Sequence, residues 1–480
     1  MVFEDLHEYL DFLGKNKDLV RIEDSVDPDL ELTYLLSEEE RVGKGRALLF
    51  QNVEGSEIPC VGNLFSTGEK MNAVLGGDAI EVGRRMKNLV RVPDNTESMI
   101  SRGMEMLKEL GGIRPKVSGS FGSSHHTLEK VDLDRYPIPR TWPMDAGRYI
   151  TMPLVITRDP VTGQKNMGMY RMQVLDSETT GMHWQIHKGG AGHAAESRGR
   201  KEPMDVAVVL GSDPLSIFSS VAPLPDGIDE FSFRGLLAKK RFDLVRGDTV
   251  DLEYPKNSEI VLEGYVDPQE TRMEGPFGDH TGYYSLEEEF PVFHIRKIIE
   301  KKNPIYPTTI VGKLWHEDVV MGKAIERIFL PLIQLQIPEV VDINTMEESV
   351  FHNMVVVSIK KRYPGQAKKV MFALWGLGQL MFSKIIVVVD DNIDIHDRKQ
   401  VIWALSTRID PQRDVFVVPG TVTDSLDHPS MLFNYGSKLG IDATRKGESE
   451  GYNRKWPDVL EMDDEVRKTV ADKGKKLGLW

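Results

Sequence analysis

Two acidic residues, Glu274 and Asp279, flank the short segment Gly275–Gly278, which reads Gly-Pro-Phe-Gly. Glycine and proline at these positions predict a tight, non-periodic loop, so backbone geometry places the two carboxyl groups. Two carboxyls held close together in different environments are suited to proton transfer. A turn with polar rims would use the same residue types for conformational reasons alone. The pair is therefore a candidate acid–base site, and the neighbouring polar residues decide between this interpretation and a simple turn.

A second polar segment places Asn166 and Arg171 five residues apart at the start of an extended run, with Gly168 between them. A glycine here permits close approach of the backbone to a ligand. A surface cation at position 171 is the alternative interpretation. Glu230 follows Asp229, and that pair could cap a helix or ligate a metal. Amide and carboxylate oxygens from Asn166 and Glu230 would suit Mg²⁺ or Mn²⁺.

The segment from His183 to Gly190 combines two imidazoles, one lysine and a glycine pair. Backbone N–H groups beside such glycines can hold a phosphate. A flexible turn with a core histidine explains the same residues. The segment indicates a binding site only when it is taken together with the Glu274–Asp279 loop and the polar residues Asn166, Arg171 and Glu230.

The elements that must position these residues belong to a chain of 480 residues, long enough for two to four domains. Its formal net charge of −14 argues against nucleic acid as a partner. The one cysteine, Cys60, excludes an intrachain disulfide, and the acidic N-terminus and the lack of a long apolar run indicate neither export nor membrane spanning. We therefore expect a cytoplasmic enzyme.

Hydrophobic periodicity divides the chain into three regions and predicts an α+β multidomain fold. Residues 1–112 mix helix and strand, residues 113–305 are mostly extended and predict a β-barrel or sandwich, and residues 306–480 alternate strands with helices. The alternation predicts a C-terminal α/β domain with a parallel sheet, and the charged end predicts a tail helix that packs on another subunit. The stretch Ser425–Tyr435 lines a pocket, belongs to the core or forms a subunit contact.

Taken jointly, these segments resemble the UbiD family of non-oxidative decarboxylases, most closely its 3-polyprenyl-4-hydroxybenzoate branch. The resemblance runs along almost the whole chain and includes further motifs. They are Leu210–Pro214, Ile260–Tyr265, Pro291–Phe293, Val401–Ala404 and Gly436–Thr444.

The resemblance implies a central split β-barrel like that of flavin reductases, which binds prenylated FMN, with Mn²⁺ (or Mg²⁺) and K⁺ beside the cofactor phosphate. It implies a C-terminal domain that mediates oligomerisation, as a homodimer or homohexamer. Carried over by motif, the metal ligands are Asn166 and Glu230, and the catalytic triad is Arg171, Glu274 and Asp279. The residues that bind the cofactor phosphate are Lys188 and Gly189, and the K⁺ site is formed by Ser219, Ser220 and Ala222. The other cofactor contacts are Met169, Tyr170, Arg171, His183, Trp184 and Gln185.

The implied reaction is the reversible decarboxylation of a small aromatic (4-hydroxybenzoate-type) or unsaturated carboxylic acid. The substrate carbon bonds to the flavin, CO₂ leaves, and an acid protonates the product; Asp279 is favoured over Glu274 for this role. One arginine between two carboxyls should push their pKa values apart, so that only one is protonated at neutral pH. A flavin prenyltransferase would supply the cofactor, and membrane association would be needed only for a prenylated substrate.

Two departures from the family pattern affect these expectations. Trp184 stands where some relatives have a metal-binding histidine. The third ligand position of the metal is therefore left to a water molecule or to His187. Asp279 stands where other branches have glutamate, which shortens its reach by about one methylene. An FMN-dependent oxidoreductase on the same barrel and a non-catalytic scaffold subunit remain alternatives, although a scaffold has no need for all three triad residues.

Overall fold

The computed structural model describes residues 2–90, 112–184, 189–224, 227–313 and 316–479. The first region mixes helix and strand, as predicted. The elements are α1 (Leu6–Lys15), β1 (Leu19–Val26), α2 (Glu31–Val42), β2 (Ala47–Val53), β3 (Cys60–Gly62), α3 (Gly68–Leu75) and α4 (Ala79–Val90).

The central region is rich in strands, as predicted, and its described part also contains three helices. Its elements are β4 (Lys116–Ser118), β5 (His125–Thr127), β6 (Tyr149–Ile150), β7 (Pro153–Arg158), β8 (Lys165–Gly168), β9 (Met172–Gln173), β10 (Thr179–Gly181), α5 (Gly189–Arg200), β11 (Met204–Leu210), α6 (Pro214–Ser219), α7 (Glu230–Ala238), β12 (Asp243–Arg246), β13 (Glu253–Pro255), β14 (Ile260–Glu274), β15 (Glu288–Lys301) and β16 (Tyr306–Pro307).

A curled sheet forms the core of the central region, with strand order β10-β15-β14-β11-β7-β8 and β5 added on β15. The long pair β14 and β15 is interrupted by two register shifts, and such bulges increase strand twist and bend the sheet. At one of them, a Cβ on Gly264 would lie 2.0 Å from the carbonyl oxygen of His294, so only glycine fits. Two strands of this sheet carry candidate residues, since β8 contains Asn166 and β14 ends at Glu274.

A smaller sheet in the N-terminal region has the order β1-β2-β3-β16 and takes its last strand from the central region. The strands of β1 and β2 run parallel, as do those of β3 and β16. Because β16 pairs with Cys60 and Val61, the chain leaving the barrel is anchored on the first region before it enters the third.

The C-terminal region contains α8 (Glu317–Gln336), β17 (Val340–Thr345), β18 (Met354–Ile359), α9 (Gln366–Trp375), β19 (Ile385–Asp390), α10 (Arg398–Arg408), α11 (Pro411–Asp414), β20 (Val415–Val422), β21 (Tyr435–Asp442) and α12 (Asp464–Leu477). Its sheet has the order β17-β18-β19-β21-β20.

The prediction of a parallel sheet is correct for β18, β19 and β21 and wrong for the two edge strands. Strands β17 and β20 run antiparallel to their neighbours. A parallel neighbour requires a crossover connection, usually a helix. Residues 346–353 between β17 and β18 are too few for one, and residues 423–434 between β20 and β21 contain no α-helix.

The end of the chain forms the predicted tail helix, α12, whose Val466 and Val470 side chains are about half exposed. In the stretch Ser425–Tyr435, Met431 is 98% exposed and Leu432 and Phe433 are also exposed, so these three side chains lie outside the core, whereas Leu426 is buried. In the described ranges, no helix has the length and apolar character needed to span a bilayer.

Helix α4 packs against α8 so closely that Gly83 is required. A Cβ at Gly83 would lie 2.2 Å from the carbonyl oxygen of Ile328, whereas a Cβ at Gly192 in α5 would meet nothing within 4 Å. We expect Gly83→Ala to destabilise the protein by about 1–3 kcal/mol through overpacking. Gly192→Ala should be neutral or stabilise it by up to about 1 kcal/mol through helix propensity. Calorimetric unfolding of both variants checks this, and a Gly83→Ala midpoint at or above wild type would contradict the packing.

Candidate active site

Backbone hydrogen bonds hold the loop between Glu274 and Asp279 in place. Glu274 is the last residue of β14, and Gly275 follows with a φ of +96°, a conformation that favours glycine. The N–H of Gly275 donates to Gln173 Oε1 at 2.9 Å, and the N–H of Gly278 donates to Asp145 Oδ1 at 2.7 Å. The loop is therefore fixed at both ends, as the glycines and proline of the sequence predict.

Arg171 lies between the two acids, which confirms that the predicted triad comes together. Its Nε and Nη2 donate to the two oxygens of Glu274 at 2.9 and 3.1 Å, and its Nη1 donates to Asp279 Oδ2. Only 9% of the Arg171 side chain is exposed, against 1% for Glu274 and 11% for Asp279. The alternative interpretation of Arg171 as a surface cation is wrong.

Both carboxyls of the triad are ionised in this arrangement. Burial opposes ionisation of Glu274, but the hydrogen bond from His183 and the charge of Arg171 outweigh it and lower the pKa of Glu274 to about 2. For Asp279, burial is again outweighed, here by the hydrogen bond and charge of His280 and by Arg171, and the pKa lies well below its usual range. The expectation that one acid would hold a proton at neutral pH is wrong for this state, because each carboxyl has its own cationic partner.

His183 contacts the first acid, and its ring is neutral. Burial, and after it the charge of Arg171, lowers the pKa of His183. Its Nδ1 lies 3.1 Å from Glu274 Oε2, and a carboxylate only accepts, so Nδ1 carries the proton. The ring also lies against Phe290, with centroids 4.1 Å apart. His183 thus orients Glu274.

His280 contacts the second acid, and sequence reasoning gave it no role. Its Nδ1 and its backbone N–H each lie 2.7 Å from Asp279 Oδ1. Its Nε2 lies 2.9 Å from Nε2 of His352, in the loop between β17 and β18. His280 was recognisable only as the neighbour of Asp279, and His352 lies 72 residues further along the chain, with no local signal.

A polar cluster forms where Asn166 and Glu230 were predicted to meet. Asn166 Nδ2 donates to Glu230 Oε1 at 3.1 Å, and the N–H of Met167 donates to Glu230 Oε2 at 2.8 Å. Tyr170 donates its hydroxyl proton to Asn166 Oδ1 at 2.9 Å. Burial raises the pKa of Glu230 to about 7. Asp229 caps α7 through the N–H of Ser232, so the two acidic neighbours have separate roles.

The glycine pair Gly189-Gly190 opens α5 directly against this cluster. A Cβ on Gly189 would lie 2.9 Å from Asn166 Nδ2, and one on Gly190 would lie 2.9 Å from Trp184 Nε1. Within the described residues, the buried Trp184 Nε1 has no hydrogen-bond partner. Gly168 is needed for Tyr170, whose ring would be 2.4 Å from an added Cβ. Gln185, His187 and Lys188 lie outside the described residues.

The predicted potassium segment lies beside the same strand connection. The N–H of Met169 donates to the carbonyl of Ser220 at 3.2 Å, and Ser219 and Ala222 are buried next to it. Ser219 Oγ is a second buried polar atom without a partner among the described residues.

These features fit a polar cofactor better than a metal alone. Unpartnered donors at Trp184 and Ser219 and the glycine cradle suit a phosphorylated ligand. Across the described ranges, no three His, Cys, Asp or Glu side chains converge as a metal-binding group. A cation bound by Asn166 and Glu230 would therefore need ligands from water or from the cofactor itself.

Comparisons with known proteins agree with this geometry. Models of the N-terminal, Rift-related and C-terminal domains of 3-octaprenyl-4-hydroxybenzoate carboxy-lyase match residues 10–90, 116–314 and 319–443. An uncharacterized protein of Archaeoglobus fulgidus is 48% identical over 474 residues, 98% of each chain.

Solved structures extend the likeness to the whole fold. The closed form of vanillic acid decarboxylase from Sedimentibacter hydroxybenzoicus is 27% identical, with a TM-score of 0.87 over 99% of both chains. An evolved dimeric form of the UbiD-class enzyme HmfF from Pelotomaculum thermopropionicum, in complex with prFMN, is 26% identical, with a TM-score of 0.80 over 98% of this chain and 100% of that chain. Because the three domain models cover most of the sequence, this chain belongs to the UbiD family of carboxy-lyases.

Proposed function

We propose that this protein is a reversible, non-oxidative decarboxylase of an aromatic or α,β-unsaturated carboxylic acid and that it uses prenylated FMN. The observation that supports this most directly is the buried Arg171 held between Glu274 and Asp279. The same cofactor is bound by the related HmfF structure. A family member with this triad intact has the groups that decarboxylation needs, so a purely scaffolding role is disfavoured.

Loss of CO₂ from an sp² carbon leaves an electron pair that no amino-acid side chain can accept. Bound prenylated FMN supplies that electron sink. Asn166 and Glu230 would hold a Mn²⁺ or Mg²⁺ ion at its phosphate, with Gly189 and Trp184 close by. Met169, Tyr170, Gln185 and Lys188 complete the proposed cofactor contacts. Ser219, Ser220 and Ala222 form the proposed K⁺ site. These assignments place the cofactor beside the Tyr170–Arg171 connection of the barrel.

The protein's own part in the chemistry is orientation and protonation. Arg171 offers a positive charge beside the place where a substrate carboxylate must sit, and Glu274 fixes the guanidinium through two parallel hydrogen bonds. Asp279 is bound to the same guanidinium through a different nitrogen. We assign proton delivery to Asp279, as the resemblance implies, because its partner His280 has a raised pKa and can resupply a proton, whereas Glu274 is bonded to Arg171 and to His183, whose pKa is lowered.

The proposed substrate class rests on the resemblance to the UbiD family. The 3-polyprenyl-4-hydroxybenzoate branch also has aspartate at the proton-donor position, and the shorter side chain suits a different substrate depth. A flavin prenyltransferase would supply the cofactor. The half-exposed valines of α12 favour a homodimer or homohexamer in which this helix packs on another subunit.

Co-production with a flavin prenyltransferase tests the proposed function. We expect the purified protein to carry a flavin whose mass exceeds that of FMN by one prenyl unit and to release CO₂ from one or more members of a panel of aromatic and unsaturated acids. Protein made without the transferase should release none. Bleaching of a plain FMN by a nicotinamide donor, without CO₂ release, would instead establish the oxidoreductase alternative.

Replacing the proposed proton donor should separate chemistry from binding. We expect Asp279→Asn to lower kcat by about 10²–10⁴-fold, because the amide cannot supply the proton, while the flavin stays bound. CO₂ release and the absorbance spectrum of the bound flavin measure the two effects. Asp176→Asn, at an exposed position of the same region, is the matched control. Wild-type turnover in Asp279→Asn would move the acid role to another residue.

Replacing the proposed metal ligands should remove metal and cofactor together. We expect Asn166→Ala and Glu230→Gln to lose both bound Mn²⁺ and flavin, because each would lose an oxygen ligand or its charge. Elemental analysis and flavin release measure the losses. Asp229→Asn is the control, since asparagine also caps helices well and α7 should remain intact. Retention of stoichiometric metal by Glu230→Gln would refute the assignment.

A further inference from the structure

Decarboxylation of a carboxylate anion consumes one proton, since RCOO⁻ and H⁺ give RH and CO₂. Asp279, the proposed donor, must therefore regain a proton in every turnover, and its side chain is only 11% exposed. Its carboxyl is also ionised in the resting structure. A decarboxylase built on this site needs a route that carries protons to Asp279. The need for this proton route rests on the proposed function.

A chain of two imidazoles leads away from Asp279 toward the surface. His280 Nδ1 lies 2.7 Å from Asp279 Oδ1, and His280 Nε2 lies 2.9 Å from His352 Nε2. The His280 side chain is 16% exposed, and His352 is half-buried in the loop before β18. The three side chains therefore lead from a buried carboxylate to a half-buried imidazole, whose Nδ1 atom is itself enclosed.

The contact between the two rings constrains where their protons lie. The carboxylate of Asp279 only accepts, so Nδ1 of His280 carries a proton. Two imidazole nitrogens 2.9 Å apart form a hydrogen bond only when one of them is protonated and the other is not. The Nε2 atoms thus share a single proton, which is the arrangement in which a proton can pass between them.

The charges around His280 favour a proton on its ring. Burial opposes this, but the hydrogen bond and charge of Asp279, together with Asp318 of α8 and Asp424 beyond β20, raise the pKa of His280. Arg171 bonds to the other oxygen of Asp279 and is the neighbouring cation of the triad. His352 is the group that faces His280 from the β17–β18 loop.

The loop that presents His352 has an unusual backbone. Val350 and Phe351 have φ values of +59° and +41°, which branched and aromatic residues rarely adopt. The Phe351 ring lies 5.5 Å from the His280 ring and packs beside Gly322 of α8. Tertiary contacts hold this costly conformation, and its effect is to place an imidazole of the C-terminal region on His280.

We propose that His280 and His352 form a proton relay that reloads Asp279 in each catalytic cycle. After Asp279 has given its proton to the product carbon, protonated His280 returns one from Nδ1. His280 is then neutral, with its remaining proton on Nε2 in the contact with His352. The pair takes up one solvent proton, which makes His280 doubly protonated again, so one solvent proton enters for each CO₂ that leaves.

His352→Gln tests the relay in the reconstituted enzyme. Glutamine can still accept a hydrogen bond from His280, but it cannot pass a proton on. We expect kcat to fall about 10- to 100-fold with KM within about twofold of wild type, and the rate to recover in proportion to added imidazolium. The wild-type rate should fall as the pH rises through the pKa of the pair, and the solvent isotope effect should increase in the variant. His396→Gln, at a surface histidine bonded to Asp342, is the matched control and should change none of these.

A second measurement does not depend on turnover. In ¹⁵N-histidine spectra of the cofactor-free protein, two rings should titrate as a coupled pair, and His352→Gln should shift the titration of the His280 ring. Independent titration of the two rings would overturn the relay whether or not the protein is a decarboxylase. Unchanged kcat without response to imidazole, or a rise in KM alone, would also overturn it. If wild type shows the coupled pair and releases no CO₂ from any acid, the proposed function fails instead.

Discussion

The site depends on one buried guanidinium. Arg171 is held by Glu274 and Asp279 in a region where an unpaired charge would be very costly, so removing any one of the three leaves the others uncompensated. One cation between two anions leaves a net negative charge, and this charge raises the pKa of His280, which is bonded to Asp279. With His280 protonated, the site holds two carboxylates and two cations, and the surrounding loops keep these groups in contact.

The sequence predicts the residues of this set better than their protonation states. The Gly-Pro-Phe-Gly loop and the polar residues Asn166, Arg171 and Glu230 can be predicted from the sequence, because backbone conformation and ligand chemistry restrict the residue types at these positions. The pKa values of Glu274 and Asp279 cannot be predicted from the sequence, because they depend on burial and on contacts with His183 and His280, which only the folded chain defines. His352 had no signal, since its contact with His280 joins distant segments.

The fold shows the same division between local and long-range information. Buried apolar runs such as Ile385–Asp390 predict strands with nearly correct bounds, because a continuous apolar segment must be covered on both faces. The predicted strand direction at the sheet edges was wrong, since direction follows from the connections that join β17 to β18 and β20 to β21, neither of which contains a crossover α-helix. The extended stretch that holds Asn166 and Arg171 is interrupted between β8 and β9, where Tyr170 and Arg171 contact Asn166 and Glu274.

The balance of charges has a consequence for the order of proton transfers. A substrate carboxylate that binds near Arg171 adds a third negative charge, and a like charge nearby raises the pKa of a carboxyl group. Protonation of Asp279 then becomes more favourable when substrate is present, and His280 is the hydrogen-bonded group that can supply the proton. Departure of neutral CO₂ removes the extra charge again. The same electrostatics that keep Asp279 ionised at rest would thus load it when a substrate anion arrives, and the C-terminal region contributes through His352 only while it stays in contact with the barrel.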